Sequence, residues 1–310
     1  MLLQHTPVLL DEVLVALQVR TEGCYLDATF GRGGHTAAIL ERVGKEGRVI
    51  AIDRDPQAIR AGRERFAADA RLTLVNSPFS QLGSVVNSMG LSGELDGVLL
   101  DLGVSSPQLD DAARGFSFTQ DGPLDMRMNN SAGITAADWL ARAPESEIVR
   151  VIREFGEERF AKRIARSIVE QRATTPITRT SQLADIVASA VRSREPGKHP
   201  ATRTFQAIRI HVNRELEEIE AALEGTLSVL KGGGRLAVIS FHSLEDTLVK
   251  RFMQRQSQED PVFAGLPEVP EYARPKMRRI GKAIHASETE IRSNPRSRSS
   301  IMRVAERIAA

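Results

Sequence analysis

The sequence predicts an α/β protein, a parallel, doubly wound sheet interrupted by a mostly helical insertion. Three observations predict it. Short apolar runs at 24–27, 47–53, 72–75 and 95–101 alternate with helical patterns over the first third of the chain. These runs are nearly continuous, as strands buried on both faces are. After Asp101 the chain turns rich in Gly, Ser, Pro and Asp, then apolar residues recur at helical spacing, and a strand signal returns only at 236–240.

The elements follow in order. Cys-Tyr-Leu-Asp at 24–27 reads as the first strand, and 28–44 as a loop entering a helix. After the second strand, Asp55 can cap the next helix and Pro56 suits its first position. The runs at 72–75 and 95–101 are the third and fourth strands. Phe160, Ile164 and Ile168 mark one amphipathic helix, Leu183 and Val187 another within 180–190, and 195–200 is a break. Phe205, Ile208, Val212, Leu216, Ile219 and Leu223 form one long stripe, a single helix ended by Gly232-Gly233-Gly234. Then come the strand at 236–240, a helix over 244–253, a surface loop over 256–275, and final strands at 279–284 and 300–304. The sheet domain is thus expected from 1–109 and 199–310, with the helical insertion at 110–198.

Composition narrows the class. A chain of 310 residues, 41% apolar and 26% charged, can build two globular domains. Its single cysteine, Cys24, excludes a disulfide framework, a cysteine-ligated zinc finger and a conventional iron–sulfur cluster. No window of eighteen nearly uncharged apolar residues exists, and the first residues lack the basic start and long apolar core of a signal peptide, so an aqueous, reducing compartment is expected. The balance of 42 basic to 40 acidic residues permits a nucleic-acid partner without requiring one.

The chemistry is concentrated at strand ends. Asp27-Ala28-Thr29-Phe30-Gly31-Arg32-Gly33-Gly34-His35 lies between a predicted strand and a predicted helix, where glycines allow a tight turn and close approach of a ligand. Asp53 ends the next strand, positioned to accept both hydroxyls of an adenosine ribose. The alternative is a plain turn followed by a surface aspartate. The third glycine of a dinucleotide fingerprint would fall at Thr36, and no Lys-Ser or Lys-Thr pair follows as in a P-loop. A nucleoside cofactor without phosphate, S-adenosylmethionine, fits better, with Asp27 or nearby backbone available to its methionine tail. Asp101 ends the fourth strand and faces the same crevice, or else only caps a turn. Phe116 and Phe118 beside Arg114 and Arg127 would suit base stacking and phosphate contact, or a packed loop.

Longer blocks extend this pattern: TFGRGGHT at 29–36, AIDRDPQAI at 51–59, LLDLGVSSPQLDDAARGFSF at 99–118, DGPLDMRM at 121–128, GEERFAKRIA at 156–165, HPATRTFQAIRIHVNREL at 199–216 and ISFHSLEDTLVKRF at 239–252. In these blocks the sequence resembles the bacterial ribosomal RNA small subunit methyltransferase H family, the 16S rRNA N4-cytidine methyltransferases, from His5 to Arg303. The resemblance implies a class I S-adenosylmethionine-dependent methyltransferase, a Rossmann-like sheet domain with an inserted helical domain. It implies cofactor contacts at Gly33, Gly34, His35, Asp53, Phe79, Asp101 and Gln108, and no metal. It implies a cytoplasmic enzyme that methylates N4 of cytidine 1402 of 16S ribosomal RNA, on the small ribosomal subunit. A methyltransferase acting on another RNA or on DNA bases is the alternative enzyme, and a cofactor-binding assembly factor without essential catalysis the alternative class.

The transfer itself needs an acceptor for the amine hydrogens, and Asp101 or a backbone carbonyl at 102–105 is the candidate. The Pro-Pro-aromatic continuation of many amino-methyltransferases is replaced here by Leu102-Gly103-Val104. An exocyclic amine requires no cysteine adduct, and Cys24 is expected to be buried in its strand. His242 follows the fifth strand, beside the target pocket or in a structural role. Arg203, Arg209 and the tail residues Arg274, Lys276, Arg278, Arg279, Lys282, Arg292, Arg296 and Arg298 form the expected RNA surface, with 293–300 read as flexible.

Overall fold

The structure, a computed structural model, describes residues 7–191, 199–259, 261–263 and 270–309. In chain order its elements are α1 (Leu10–Leu17), β1 (Cys24–Asp27), α2 (Gly34–Leu40), β2 (Arg48–Asp53), α3 (Pro56–Arg65), β3 (Leu72–Asn76), α4 (Leu82–Ser88), β4 (Leu95–Asp101) and α5 (Ser106–Asp110). There follow α6 (Ala136–Arg142), α7 (Glu145–Gly156), α8 (Ala161–Thr174), α9 (Thr180–Ala190), α10 (Thr202–Asn213) and α11 (Glu215–Val229). The chain closes with β5 (Leu230–Ser240), α12 (Ser243–Gln256), β6 (Met277–His285), α13 (Glu288–Ser293) and β7 (Ile301–Arg307).

Two compact units result, one of residues 1–103 and 216–310, the other of 104–215. The sequence places these borders at 109/110 and 198/199. The second border moves because the stripe from Phe205 to Leu223 is two helices. Arg214 between them takes a left-handed φ of 52°, which no helix continues through. Phe205 and Ile208 of α10 lie in the core of the helical unit, whereas Ile219 and Leu223 of α11 lie in a core of the sheet unit.

The sheet unit has the strand order β3-β2-β1-β4-β5-β7-β6. β1 to β5 run parallel, and β7 is antiparallel to both β5 and β6. The continuous apolar runs are explained by two cores, one on each face. Tyr25, Val49 and Leu99 point into the core that includes α1 and α2. Leu26, Ile50, Val98 and Leu100 point into the opposite core, with residues of α4, α11 and α12. Successive side chains of a strand face opposite ways, so burial of both faces removes any alternation in polarity.

The glycine triplet does not end a helix. α11 stops at Val229, and Gly232-Gly233-Gly234 lies within β5. There Leu95 pairs with Leu230 but Gly97 already pairs with Arg235, so β5 carries extra residues against β4, and Gly233 takes φ 80°. Glycine supplies the conformation such a bulge requires.

The helical unit is held by one cluster that includes Trp139, Leu140, Ile148, Ile152, Ile164, Ile168, Leu183, Val187, Phe205 and Ile208. Asn213, buried at the end of α10, ties the loop before α6 to it. Its Nδ2 donates to Met126 O at 2.7 Å and Arg209 O at 2.9 Å, and its Oδ1 accepts from Met128 N at 2.7 Å. The aromatic and basic residues of this loop are packed rather than displayed. Phe116 is buried in the cluster, and Phe118 stacks on His199 at 4.5 Å. Arg114 is buried and donates to Met128 O, while Arg127 is paired to Asp125 at 2.7 Å. The base-stacking expectation for this loop is therefore corrected to the packed one, because its rings and guanidinium groups satisfy the unit's own core and carbonyls.

Candidate active site

The glycine turn and the acid that follows it are one structure. β1 gives way to residues 28–33, and Gly33, at φ 69°, stands at the N-cap of α2. A Cβ on Gly33 would lie 2.6 Å from the Phe30 ring, so both conformation and space require glycine. A Cβ on Gly34 would meet Pro7 Cγ at 2.4 Å. The turn is fastened to the end of β2: Gly31 N donates to Asp53 Oδ2 at 2.7 Å, and Asp55 N to Asp53 Oδ1 at 2.8 Å. Asp55 caps α3 as expected, accepting from Gln57 N at 2.9 Å.

The acids line up by register. Asp27 pairs with Ala51 on β2 and Leu99 on β4, so Asp53 and Asp101 both stand two residues further toward the carboxyl edge, on either side of β1. The strand order reverses at this point, the place where open α/β sheets bind ligands. Asp27 is buried, and its carboxylate accepts from Thr36 Oγ1 at 2.7 Å and Thr29 N at 3.1 Å. Thr29 reaches across to β4, where its Oγ1 accepts from Asp101 N at 2.7 Å. His35, buried in the first turn of α2, places Nε2 3.5 Å from Asp101 Oδ2. Phe79 is half-buried just beyond β3.

Electrostatics follow from this crowding of acids. Burial pushes the Asp53 carboxyl up to about 6, against the downward pull of the Asp55 and Gly31 N–H groups. Burial likewise raises Asp27, with His35 and Thr36 opposing it. His35 is the reverse case. Burial disfavours its charged form, but Asp101 and then Asp27 and Glu290 outweigh that, and its pKa is raised.

These residues fit an adenosine-type cofactor with a charged tail. Both ring nitrogens of His35 and Oδ1 of Asp101 are buried without a hydrogen-bond partner. Native structures rarely leave such groups unmatched, so a ligand supplying polar atoms answers them. Asp53 uses one hydrogen bond on each oxygen and keeps lone pairs for hydroxyl donors. Gln108, the remaining residue of the expected set, lies in the helical unit, where it is buried and its Oε1 accepts from Ser105 N at 3.0 Å as part of a capping box on α5.

The titration of Asp53 makes cofactor binding pH-dependent. Ribose hydroxyls need a carboxylate acceptor, and a protonated Asp53 loses that role. Affinity should hold above about pH 7 and fall below about 6, to which burial pushes the Asp53 carboxyl, levelling off at the affinity of a variant without the carboxylate. Calorimetry across pH 4.5–8 checks this, and a limb that persists in Asp53→Asn would assign it to another group.

The sheet order, its antiparallel β7 and the acid-lined edge at the β1/β4 reversal define a Rossmann-like, S-adenosylmethionine-dependent methyltransferase. Residues 2–308 match the MraW methylase family, and the chain belongs to it. A ribosomal RNA small subunit methyltransferase H from Alteromonas mediterranea is 57% identical over 307 residues, covering 98% of each chain. The protein of the same name from Thiobacillus denitrificans is 57% identical over 306 residues, covering 98% of this chain and 97% of that one. Among solved structures, an rRNA methylase from Streptococcus thermophilus is 12% identical with a TM-score of 0.42, covering 96% of this chain and 94% of that one. Neither its distance nor its identity allows a residue to be placed by it.

Sequence reasoning missed Thr29, Thr36 and Glu290. The two threonines lie within the quoted glycine block, but their role depends on which strand ends they bridge. Glu290 has no local signal. It enters from α13, where its Oε1 accepts from Leu9 N at 2.8 Å.

Proposed function

We propose that this chain methylates the exocyclic N4 of cytidine 1402 in 16S ribosomal RNA, on the small ribosomal subunit in the cytoplasm. The observation that carries the reading is the 57% identity, over 98% of the chain, to ribosomal RNA small subunit methyltransferases. The position and the atom rest on the sequence resemblance.

Bound at the β1/β4 reversal, S-adenosylmethionine supplies an electrophilic methyl group. Gly33, Gly34 and His35 cradle it, Asp53 accepts from its ribose hydroxyls, and Phe79 offers an apolar face to the adenine. Asp101 is the acceptor for hydrogens of the target amine. Those hydrogen bonds strengthen as positive charge grows on N4, which is how a fixed carboxylate favours the transition state. Cys24 takes no part. It is half-buried rather than fully buried, and burial pushes its thiol up to about 11, so no thiolate nucleophile exists at neutral pH.

RNA contact is assigned to the exposed tail cations, with two revisions. Arg209 is withdrawn because its Nε and one terminal nitrogen donate to the two carboxylate oxygens of Glu215, each at 2.8 Å. Residues 293–300 have regular structure where the sequence suggests a flexible run. They form the end of α13 and a 3₁₀ turn over Pro295–Ser299 with Ser297 and Ser300 buried, a frame that holds Arg296 and Arg298 at the surface. Replacing both arginines with alanine should weaken RNA binding and lower the salt slope by roughly 0.7–0.9 per lost phosphate contact. Cofactor affinity should stay the same. An unchanged slope across a salt series would leave these arginines as solvated surface.

The reading as a whole is tested by nucleoside mass analysis of small-subunit RNA from cells with and without the gene. N4-methylcytidine at position 1402 should disappear in the deletion and return with the wild-type chain. Its persistence would remove the assignment.

A further inference from the structure

The buried imidazole of His35, besides lining the cofactor site, stands beside the candidate catalytic carboxylate. Nε2 lies 3.5 Å from Asp101 Oδ2, an ion-pair distance. Asp27 is on the adjacent strand β1, and Thr29 connects the two acids, donating its N–H to Asp27 and accepting from Asp101 N. The charged groups that favour its protonated form are Asp101 from β4, then Asp27 from β1 and Glu290 from α13. All three are acids. A neutral imidazole would leave acids crowded in a low-dielectric site with no cation among them.

We propose that His35 is a positioning residue for the methyl transfer: as an imidazolium beside Asp101, it orients the carboxylate that takes the proton N4 sheds. This rests on the methylation reading above. The proton balance is simple. The methylated amine carries one proton more than the neutral product, that proton passes from N4 to the Asp101 carboxylate, and from there to water, since the Asp101 side chain is 25% exposed. The proton on His35 Nε2 stays in place throughout. The raised pKa of His35 agrees with an imidazolium, but the 3.5 Å approach of Nε2 to Asp101 Oδ2 carries the inference.

Two measurements test it. The first needs neither RNA nor cofactor: ¹⁵N NMR of the imidazoles of the wild-type protein through a pH titration. His35 should titrate above the ordinary value of about 6.5, and in Asp101→Asn its titration should move down by at least about one unit. Titration of wild-type His35 at or below 6.5 overturns the proposal. The second is the pH profile of single-turnover methyl transfer at saturating cofactor and RNA. Wild-type rate should fall as pH rises through the raised pKa of His35, where the imidazolium is lost, and in His35→Gln that alkaline limb should disappear. A purely structural or cofactor-holding role would lower the rate equally at every pH, and that parallel profile also overturns the proposal. Wild-type enzyme that leaves N4 of the cytidine unmodified sinks the methylation reading instead, and the NMR titration still reports on the pair.

Discussion

Asp101→Asn should lower the rate of methyl transfer about 100-fold at saturating cofactor and RNA, with a smaller effect on cofactor affinity. The residue ends β4 at the strand-order reversal, and its backbone N–H is fixed to Thr29, so the amide can occupy the same place with little movement. It keeps an acceptor oxygen but loses the negative charge that opposes the positive charge growing on N4. Loss of one preorganised transition-state contact of this kind costs about 3 kcal/mol, or about 100-fold. Single-turnover measurement separates that loss from binding and product release. A rate within about twofold of wild type would leave Asp101 as a cofactor-positioning residue and shift the acceptor role to a backbone carbonyl.

Asp53→Ala should weaken cofactor binding by about tenfold to 100-fold. Hydrogen bonds to a charged acceptor contribute about 1.5–3 kcal/mol, and the alanine removes that acceptor outright. It also frees Gly31 N–H and Asp55 N–H, which the carboxylate holds at 2.7 and 2.8 Å, so the glycine turn loses its tie to β2. Asp53→Asn separates these contributions: it retains an acceptor for one N–H while losing the charge. Calorimetry on both variants, with folding checked by thermal melts, gives the answer. Wild-type affinity in the alanine variant would remove Asp53 from the cofactor site.

Asp53 was legible early, because a glycine turn between strand and helix followed by an acid at the next strand end is a local pattern. β4 matches the run at 95–101 residue for residue, and α9 matches 180–190, because strand length and helical spacing are written in neighbouring side chains. Even so, local pattern could not say that Gly31 bonds directly to Asp53, or that Thr29 spans β1 and β4. Those contacts depend on the lateral order of strands, which parallel pairing sets over separations of tens of residues.

Where the expectations failed, a long-range interaction outweighed a local preference. The apolar stripe from Phe205 to Leu223 keeps helical spacing straight through Arg214, yet the chain breaks there because its two halves enter different cores. Gly232-Gly233-Gly234 has the composition of a helix stop, but pairing with β4 draws it into a bulged strand. Phe116, Phe118 and Arg114 have the composition of an RNA surface, but the helical unit uses them to fill and close its own core. Composition states what a side chain can do, and competition among partners in the folded chain decides which use it takes.

By itself, then, the sequence determined the alternating α/β class, the positions of the strands that carry Asp27, Asp53 and Asp101, and the family to which the chain belongs. Each of these follows from hydrophobic period, turn chemistry or extended identity, which are properties of neighbouring residues or of the whole string. Only the tertiary structure decided that His35 lies among Asp27, Asp101 and Glu290. Those four residues come from α2, β1, β4 and α13, and nothing in the local sequence of any one of them encodes the burial that raises Asp53 to about 6 or the acids that raise the pKa of His35. A pKa is set by the charges and dielectric that surround a group in space, and those exist only once the sheet has closed around it.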